Sequence, residues 1–155
     1  MTDKKPLKRN IELQPLSREH HHSLLLCWKI RKGFSLEIPV IRIKSYADWF
    51  FLNYLQPHFK IEEDFLFPIL GLEHQLVKKA IGEHRRLARL FHKEKEIEKS
   101  LSLIEEELEK HIRFEERELF NVIQQSATEE QMKALIENHT ETAFEENPMD
   151  EFWKK

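Results

Sequence analysis

The stretches HFKIEE (residues 58–63) and HIRFEE (residues 111–116) decide the fold of this sequence. Each has a histidine followed four residues later by a glutamate and then by a second glutamate, and a Leu-Phe pair comes shortly after. Because an α-helix has about 3.6 residues per turn, side chains four positions apart lie on the same face. If both stretches are helical, each one presents an imidazole beside a carboxylate, which together form a bidentate ligand for a divalent cation.

The register of these pairs says more than their spacing. About 1.4 His-x-x-x-Glu pairs are expected by chance at this composition, and the sequence has three. The third pair, His92 and Glu96, stands among charged neighbours and is interpreted as a solvated helix face. The other two pairs continue apolar stripes with helical periodicity. These stripes are Phe51, Leu55, His58, Glu62, Leu66, Ile69 and Ile104, Leu108, His111, Glu115, Leu119, Val122.

Two glutamates in core positions need compensation. Burying an ionised carboxylate costs several kcal/mol unless it is paired or binds a metal. A divalent cation supplies that compensation, and further histidines on the remaining helices add ligands. His84 is one of them, because it lies in the stripe Val77, Ala80, His84, Leu87, Phe91.

The first predicted helix offers two alternative histidine ligands. His20, His21 and His22 are consecutive, so they point in different directions around a helix. His20 is favoured by its register with Leu24 and Cys27, and His21 fits nearly as well. His22 is expected to face solvent or the outside of the site. Carboxylates outside the ligand set are expected to hydrogen-bond the free ring nitrogens and fix their tautomers; the candidates are Glu19, Glu63, Glu83 and Glu116.

Composition excludes several classes of protein. The chain has 155 residues, 40% hydrophobic and 34% charged, with a net charge of −3. This predicts one globular domain with no basic field for nucleic acid. No apolar run is long enough for a membrane span. A single cysteine, Cys27, fits a reducing cytoplasm, where it is expected to be a small buried residue.

Few glycines and no long β-type alternation indicate an all-α protein. We expect an up-down-up-down four-helix bundle with a short extra C-terminal helix. The domain boundaries are an N-terminal arm over 1–15, the bundle over 16–138 and a C-terminal tail over 139–155 that offers aromatic side chains for docking. The predicted helices run from Ser17 to Gly33, from 40 to 70 with a kink at Pro57 and an end at Pro68 and Gly71, from 73 to 95, from 100 to 125, and from a capping box at Thr128 and Gln131.

The remaining histidines and the large aromatic residues receive ordinary interpretations. His74, His92 and His139 are predicted to be surface residues. Trp28 and Trp49 are predicted to pack in the core.

The order of these motifs resembles the hemerythrin-like HHE cation-binding family over about residues 16–125. The resemblance implies a four-helix bundle that binds two iron ions, with the glutamates bridging them. In oxygen-carrying members the third helix has a second histidine four residues after the first, and here that position is Ala88. This difference implies a more open site and argues against simple oxygen carriage. The ligands implied by the resemblance are His20 or His21, His58, Glu62, His84, His111 and Glu115.

The leading hypothesis is a cytoplasmic, non-haem di-iron protein that binds O2, NO or peroxide at an open iron position. Sensing, storage, scavenging and detoxification are left open, as are weak peroxidase or oxidase chemistry and the identity of protein partners. Imidazole and carboxylate ligands also suit zinc or manganese. The alternatives are a single-metal storage protein and a structural helical interaction module. A ferritin-like site is disfavoured because its Glu-x-x-His spacing occurs only once, at Glu19 and His22.

Overall fold

The computed structural model describes residues 8–139 and 143–154, and within them the chain forms five helices and no strand. The predicted all-α class is therefore confirmed. The first seven residues of the predicted arm, and residues 140–142 and 155 of the predicted tail, lie outside the described residues. The helices are α1 (Gln14–Ser35), α2 (40–69), α3 (Gln75–Phe91), α4 (97–126) and α5 (Glu129–Asn138).

Helix α2 is a composite of several helical types. It begins as the α-helix Val40–Phe50, widens into a π turn over Phe51–Leu55, continues as Gln56–Ile61, and widens again over Glu62–Leu66. It ends in the 3-10 turn Phe67–Ile69, which contains Pro68. The first π turn ends two residues before Pro57, which lacks an N–H and crowds the preceding turn. The irregularity expected at Pro57 takes the form of this widened turn.

Helix α4 repeats the second irregularity of α2. It runs as Ile97–Phe114, a π turn over Glu115–Leu119, and a final α segment over Phe120–Ser126. Helix α5 then begins at the predicted capping box: the Thr128 hydroxyl accepts from the Gln131 N–H, and the Gln131 side chain accepts from the Thr128 N–H. The capping box is thus confirmed.

Helix α1 differs from its prediction at both ends. It begins at Gln14, with Pro15 in the first turn, rather than at Ser17, because Leu13 and Leu16 are already fully buried. It also continues past Gly33. A Cβ at Gly33 would lie 2.7 Å from Ile43 Cδ1, so this glycine serves close packing rather than termination. The left-handed residue that ends the helix is Glu37 (φ 56°), beside an Ile38 N–H bond to the Gly33 carbonyl.

Two apolar clusters fill the interior and lie on either side of a polar layer. The first includes Ile30, Ile43, Leu90 and Leu101, and the second includes Leu16, Leu66, Val77 and Ile123. Each of the first four helices contributes to both clusters, with a histidine at the junction. Along the chain the order of the clusters alternates: α1 and α3 run from the second to the first, whereas α2 and α4 run from the first to the second.

The described part of the tail packs on the bundle. Phe152 is 1% exposed, and Trp153 lies against Tyr46 with 4.9 Å between ring centroids. Arg42 donates two hydrogen bonds to the Asp150 carboxylate, at 2.8 and 2.7 Å. Trp49 packs against the first cluster as predicted, but Trp28 is 47% exposed, so its predicted core position is wrong. Across 8–139 and 143–154, no helix is both long and apolar enough to cross a membrane.

Candidate metal centre

Six buried side chains from four helices form the polar layer between the two apolar clusters. Helix α1 contributes one histidine, α3 another, and α2 and α4 each contribute a histidine and a glutamate one turn later. None of the six exposes more than 4% of its surface. They are His20, His58, Glu62, His84, His111 and Glu115.

The Nε2 atoms of the four histidines all face the two carboxylates. Glu62 lies between two of them, with Oε2 3.1 Å from His58 Nε2 and Oε1 3.1 Å from His84 Nε2. Glu115 has Oε1 3.0 Å from His20 Nε2 and Oε2 3.3 Å from His111 Nε2. Each carboxylate therefore spans two histidines from different helices.

The six residues divide into two overlapping groups of four. One contains His20 and His58, the other contains His84 and His111, and both contain the two glutamates. Within each group one potential ligand atom per residue lies within 4.8 Å of all the others. Either group could therefore hold a metal ion.

An outer ring of carboxylates orients the four imidazoles. The Nδ1 of His20 lies 2.6 Å from Glu116, and the Nδ1 atoms of the other three each lie 2.7 Å from one carboxylate oxygen. A neutral imidazole that donates its Nδ1–H in this way has its Nε2 lone pair directed inward. The predicted outer partners are confirmed, and the pairs are His20–Glu116, His58–Glu19, His84–Glu63 and His111–Glu83.

This ring reveals an internal pattern that the sequence prediction missed. A Glu-His pair on one helix followed by His-x-x-x-Glu-Glu on the next occurs twice, once over α1 and α2 and once over α3 and α4. The glutamate before each α1 or α3 histidine bonds the histidine of the following helix. The second glutamate of each motif bonds the histidine of an odd-numbered helix, Glu63 to His84 and Glu116 to His20. The repeated Glu-His dipeptides, Glu19-His20 and Glu83-His84, are the signal that could have found it.

The π turns place the second half of each motif. Both begin at the inward glutamate, Glu62 or Glu115, and π turns are frequent at functional sites. Each inserts one residue into the helical repeat and shifts the buried face that follows. Val122, predicted to lie in the core stripe of α4, is only half-buried, and Ile123 takes the core position. Leu119, which the same stripe placed in the core, is buried, so the predicted register was wrong only after the π turn.

Many of the inward atoms lack hydrogen bonds. Among the described residues, the Nε2 atoms of His58, His84 and His111 have no hydrogen-bond partner, and neither do both Glu62 oxygens and Glu115 Oε2. Buried polar atoms in native proteins are nearly always satisfied, and leaving one unsatisfied costs about 1–3 kcal/mol. A cluster of convergent, unsatisfied donor atoms fits a metal centre, whose ion satisfies them all at once.

The charges in the polar layer favour the binding of a cation. Burial lowers the pKa of His58, but Glu62 and Glu19 outweigh it and raise it to about 9. Burial and Glu115 raise the pKa of Glu62, but the histidines outweigh them and hold it at about 2. Burial likewise opposes the shift at Glu115, whose pKa lies well below the ordinary value because of His111, His20 and His84. The layer keeps both carboxylates ionised, as metal ligands must be.

Of the two alternatives on α1, the structure brings His20 to the layer and leaves His21 exposed on the outside of the helix. His22 stacks on Phe144, with 4.6 Å between ring centroids. Cys27 is buried, and this raises the pKa of its thiol to about 12, so it supplies no thiolate ligand.

The histidines predicted to lie on the surface divide into two kinds. His74 caps α3 by accepting from the Leu76 N–H, and His92 is exposed with Nδ1 2.6 Å from the Ala88 carbonyl oxygen. The surface prediction is wrong for His139, whose side chain is 6% exposed and whose Nε2 lies 3.2 Å from Glu19 Oε2. No pattern in the sequence indicated this contact with Glu19.

No protein-family model, curated protein or solved structure matches this chain.

Proposed function

We propose that this chain is a hemerythrin-like, non-haem di-iron protein that binds O2, NO or peroxide. The observation that carries the proposal is the convergence of unsatisfied imidazole nitrogens and carboxylate oxygens at one buried layer. A structural hydrogen-bond network of the same residues would pair these atoms with one another. The short N–O approaches without hydrogen bonds favour an ion between them.

Two ions rather than one are proposed because both glutamates belong to both groups. A single ion centred on His20 and His58 would leave His84 and His111 without a ligand role, although their outer carboxylates orient them identically. Iron is proposed from the resemblance to hemerythrin-like proteins, since these ligand types also suit zinc and manganese.

The proposal also covers the order of the helices in the bundle and the cellular location of the protein. The alternation of the two apolar clusters along α1 to α4 supports an up-down-up-down order of four helices, with α5 as the extra helix. A cytoplasmic location stays a prediction.

The protein side chains hold the site in a dry, oriented environment. Phe59 stacks on the His84 ring with 3.8 Å between centroids, and Phe120 stacks on His20 at 5.2 Å. These aromatic rings exclude water from the inward-facing atoms of the polar layer. The outer carboxylates lie on the side toward the protein surface. Iron, when bound, supplies electrons and open coordination positions for a small ligand. Ala88, which offers no donor atom one turn from His84, leaves such positions free.

Metal analysis of the full chain produced with added iron tests the proposal. A pair of irons per chain with charge-transfer absorption is expected, and Glu62→Ala and Glu115→Ala should each abolish the pair. Glu118→Ala, at an exposed position of the same π turn, is the matched control and should keep it. One zinc per chain would favour single-metal storage, and no metal would leave a structural helical module.

Ligand chemistry is tested on the reduced, iron-loaded protein. O2, NO and peroxide are added in turn, and the absorption spectrum is followed. A stable O2 adduct favours sensing or storage, whereas turnover of peroxide favours detoxification. A spectrum unchanged by all three would contradict the proposed ligand class.

A further inference from the structure

A cavity of about 450 Å³ lies beside the polar layer, between α1, α2 and two residues beyond α5, His139 and Phe144. It is separate from the inward face of the layer, because it meets Glu19 and the outer side of His58. Its size falls within the range of small-molecule sites in proteins. The metal centre proposed above makes no use of it.

Most of the apolar residues that line the cavity are aromatic. Phe50, Tyr54, Phe65 and Phe144 line it, with Pro57 and Ile61 between them. The Tyr54 hydroxyl is engaged with the main chain of Glu145, accepting from its N–H at 3.0 Å and lying 3.2 Å from its carbonyl oxygen. Aromatic faces of this kind favour a flat ring as the occupant.

Hydrogen-bond acceptors lie at the floor. Glu19 stands between two rings, with Oε1 2.7 Å from His58 Nδ1 and Oε2 3.2 Å from His139 Nε2. A carboxylate has about four acceptor positions, so two neighbouring histidines do not saturate it. An occupant that brings a hydroxyl or N–H group can donate to this carboxylate.

The charges around the cavity decide among ring-bearing molecules. Two carboxylates line it, Glu19 at the floor and Asp64 at the rim, and they disfavour an anion. The rim is neutralised by Lys60, whose Nζ lies 2.9 Å from Asp64, and Glu19 already has two histidines beside it. A neutral donor therefore fits better than a cation or an anion.

We propose that this cavity binds a small neutral aromatic molecule with a hydroxyl group, a phenol, whose ring lies among the phenylalanines and whose hydroxyl donates to Glu19. The site adds an organic ligand to the protein and stands independently of whether the polar layer holds iron.

Calorimetric titration of the metal-free full chain with phenol, toluene and benzoate tests this inference. Phenol is expected to bind about tenfold or more tightly than toluene, because phenol alone donates a hydrogen bond to a charged acceptor. Benzoate is expected not to bind. Equal affinities for phenol and toluene would overturn donor recognition, and absence of phenol binding would overturn the site.

Cavity-filling variants locate the binding. Ser23 is buried and lines the cavity, so Ser23→Leu should abolish phenol binding, while Ser102→Leu at an exposed position of α4 should leave it unchanged. Asn53→Trp, at an exposed rim position, provides a second obstruction that does not disturb the core. Phenol binding that survives both obstructions would contradict the location. Iron content measured on the same variants produced with added iron separates this inference from the proposed function, since either can fail while the other stands.

Discussion

The Nε2 atom of His84 on α3 lies 3.1 Å from Oε1 of Glu62 on α2, although neither atom has a hydrogen-bond partner within residues 8–139 and 143–154. Twenty-two positions of sequence separate the two residues. Their approach depends on the outer carboxylate next to Glu62, because Glu63 bonds the far side of the same imidazole at 2.7 Å. Two adjacent glutamates of α2 thus face the two ring nitrogens of His84 on α3.

Glu63→Ala should weaken metal binding without removing a ligand. The variant leaves His84 free to rotate and to change tautomer, and loss of such outer partners costs about 10–100-fold in metal affinity. Competition with a chelator measures the change. Glu118→Ala is again the control, and equal affinity in the two variants would show that Glu63 does not position His84.

Metal loading should raise thermal stability by mass action. An ion that binds only the folded chain contributes about 2.7 kcal/mol when free metal is at 100 times its dissociation constant. Calorimetric melting of wild type and Glu115→Ala, each with and without iron, checks this. Wild type is expected to melt at a higher temperature with iron and the variant at an unchanged one. An equal increase in both would mean that iron binds elsewhere.

The histidines and glutamates that line the buried layer were readable from the sequence because their placement depends on local spacing. His58 with Glu62 and His111 with Glu115 are four apart, and the stripes around them located the inward face. The partners Glu19 and Glu83 were also within reach, since each directly precedes a histidine. Local helical geometry decides all these placements.

What the sequence did not reveal depends on packing between distant segments. The π turns at Glu62 and Glu115 shift the stripe by one residue, and periodicity assumed a regular helix. Gly33 was interpreted as a helix end, but it faces Phe152 from the tail, more than a hundred residues away. His139 was placed on the surface because nothing local indicated its contact with Glu19. Long-range contacts override local signals at each of these positions.

Gly33→Ala and Gly82→Ala should have opposite effects on stability. A Cβ at Gly33 would lie 2.7 Å from Ile43 Cδ1 and 2.8 Å from Phe152 Cε1, so overpacking should destabilise the fold by about 1–3 kcal/mol. Gly82 is within α3, and a Cβ there would meet no atom of the described part of the chain within 4 Å, so alanine should stabilise by about 0.5–1 kcal/mol. Urea unfolding of both variants measures the difference. Destabilisation of equal size at both positions would contradict the packing role of Gly33.

The docked tail should loosen at acid pH through Glu146. This carboxylate accepts a hydrogen bond from Lys29 at 2.7 Å and another from the Tyr46 hydroxyl, and Lys29 also lies 4.2 Å from the Trp153 ring centroid. Burial raises the pKa of Glu146, but the bonds from Lys29 and Tyr46 outweigh it and hold the pKa below its ordinary value of 4.5. Because the folded pKa is lowered, the contribution to stability is present above pH 4.5 and is lost as the pH falls through the folded pKa.

Comparison with Glu146→Gln isolates this contribution from the other carboxylates. The variant keeps the size of the side chain but has no ionised form, so it should be less stable than wild type at neutral pH. The difference in the free energy of unfolding, measured by urea titration at a series of pH values, should shrink below pH 4.5 and vanish once Glu146 is protonated. Glu145→Gln, one residue earlier, provides the control, since the contacts of Glu145 with Tyr54 involve only its main chain. A difference that stays constant down to strongly acid pH would mean that the charge of Glu146 does not hold the tail.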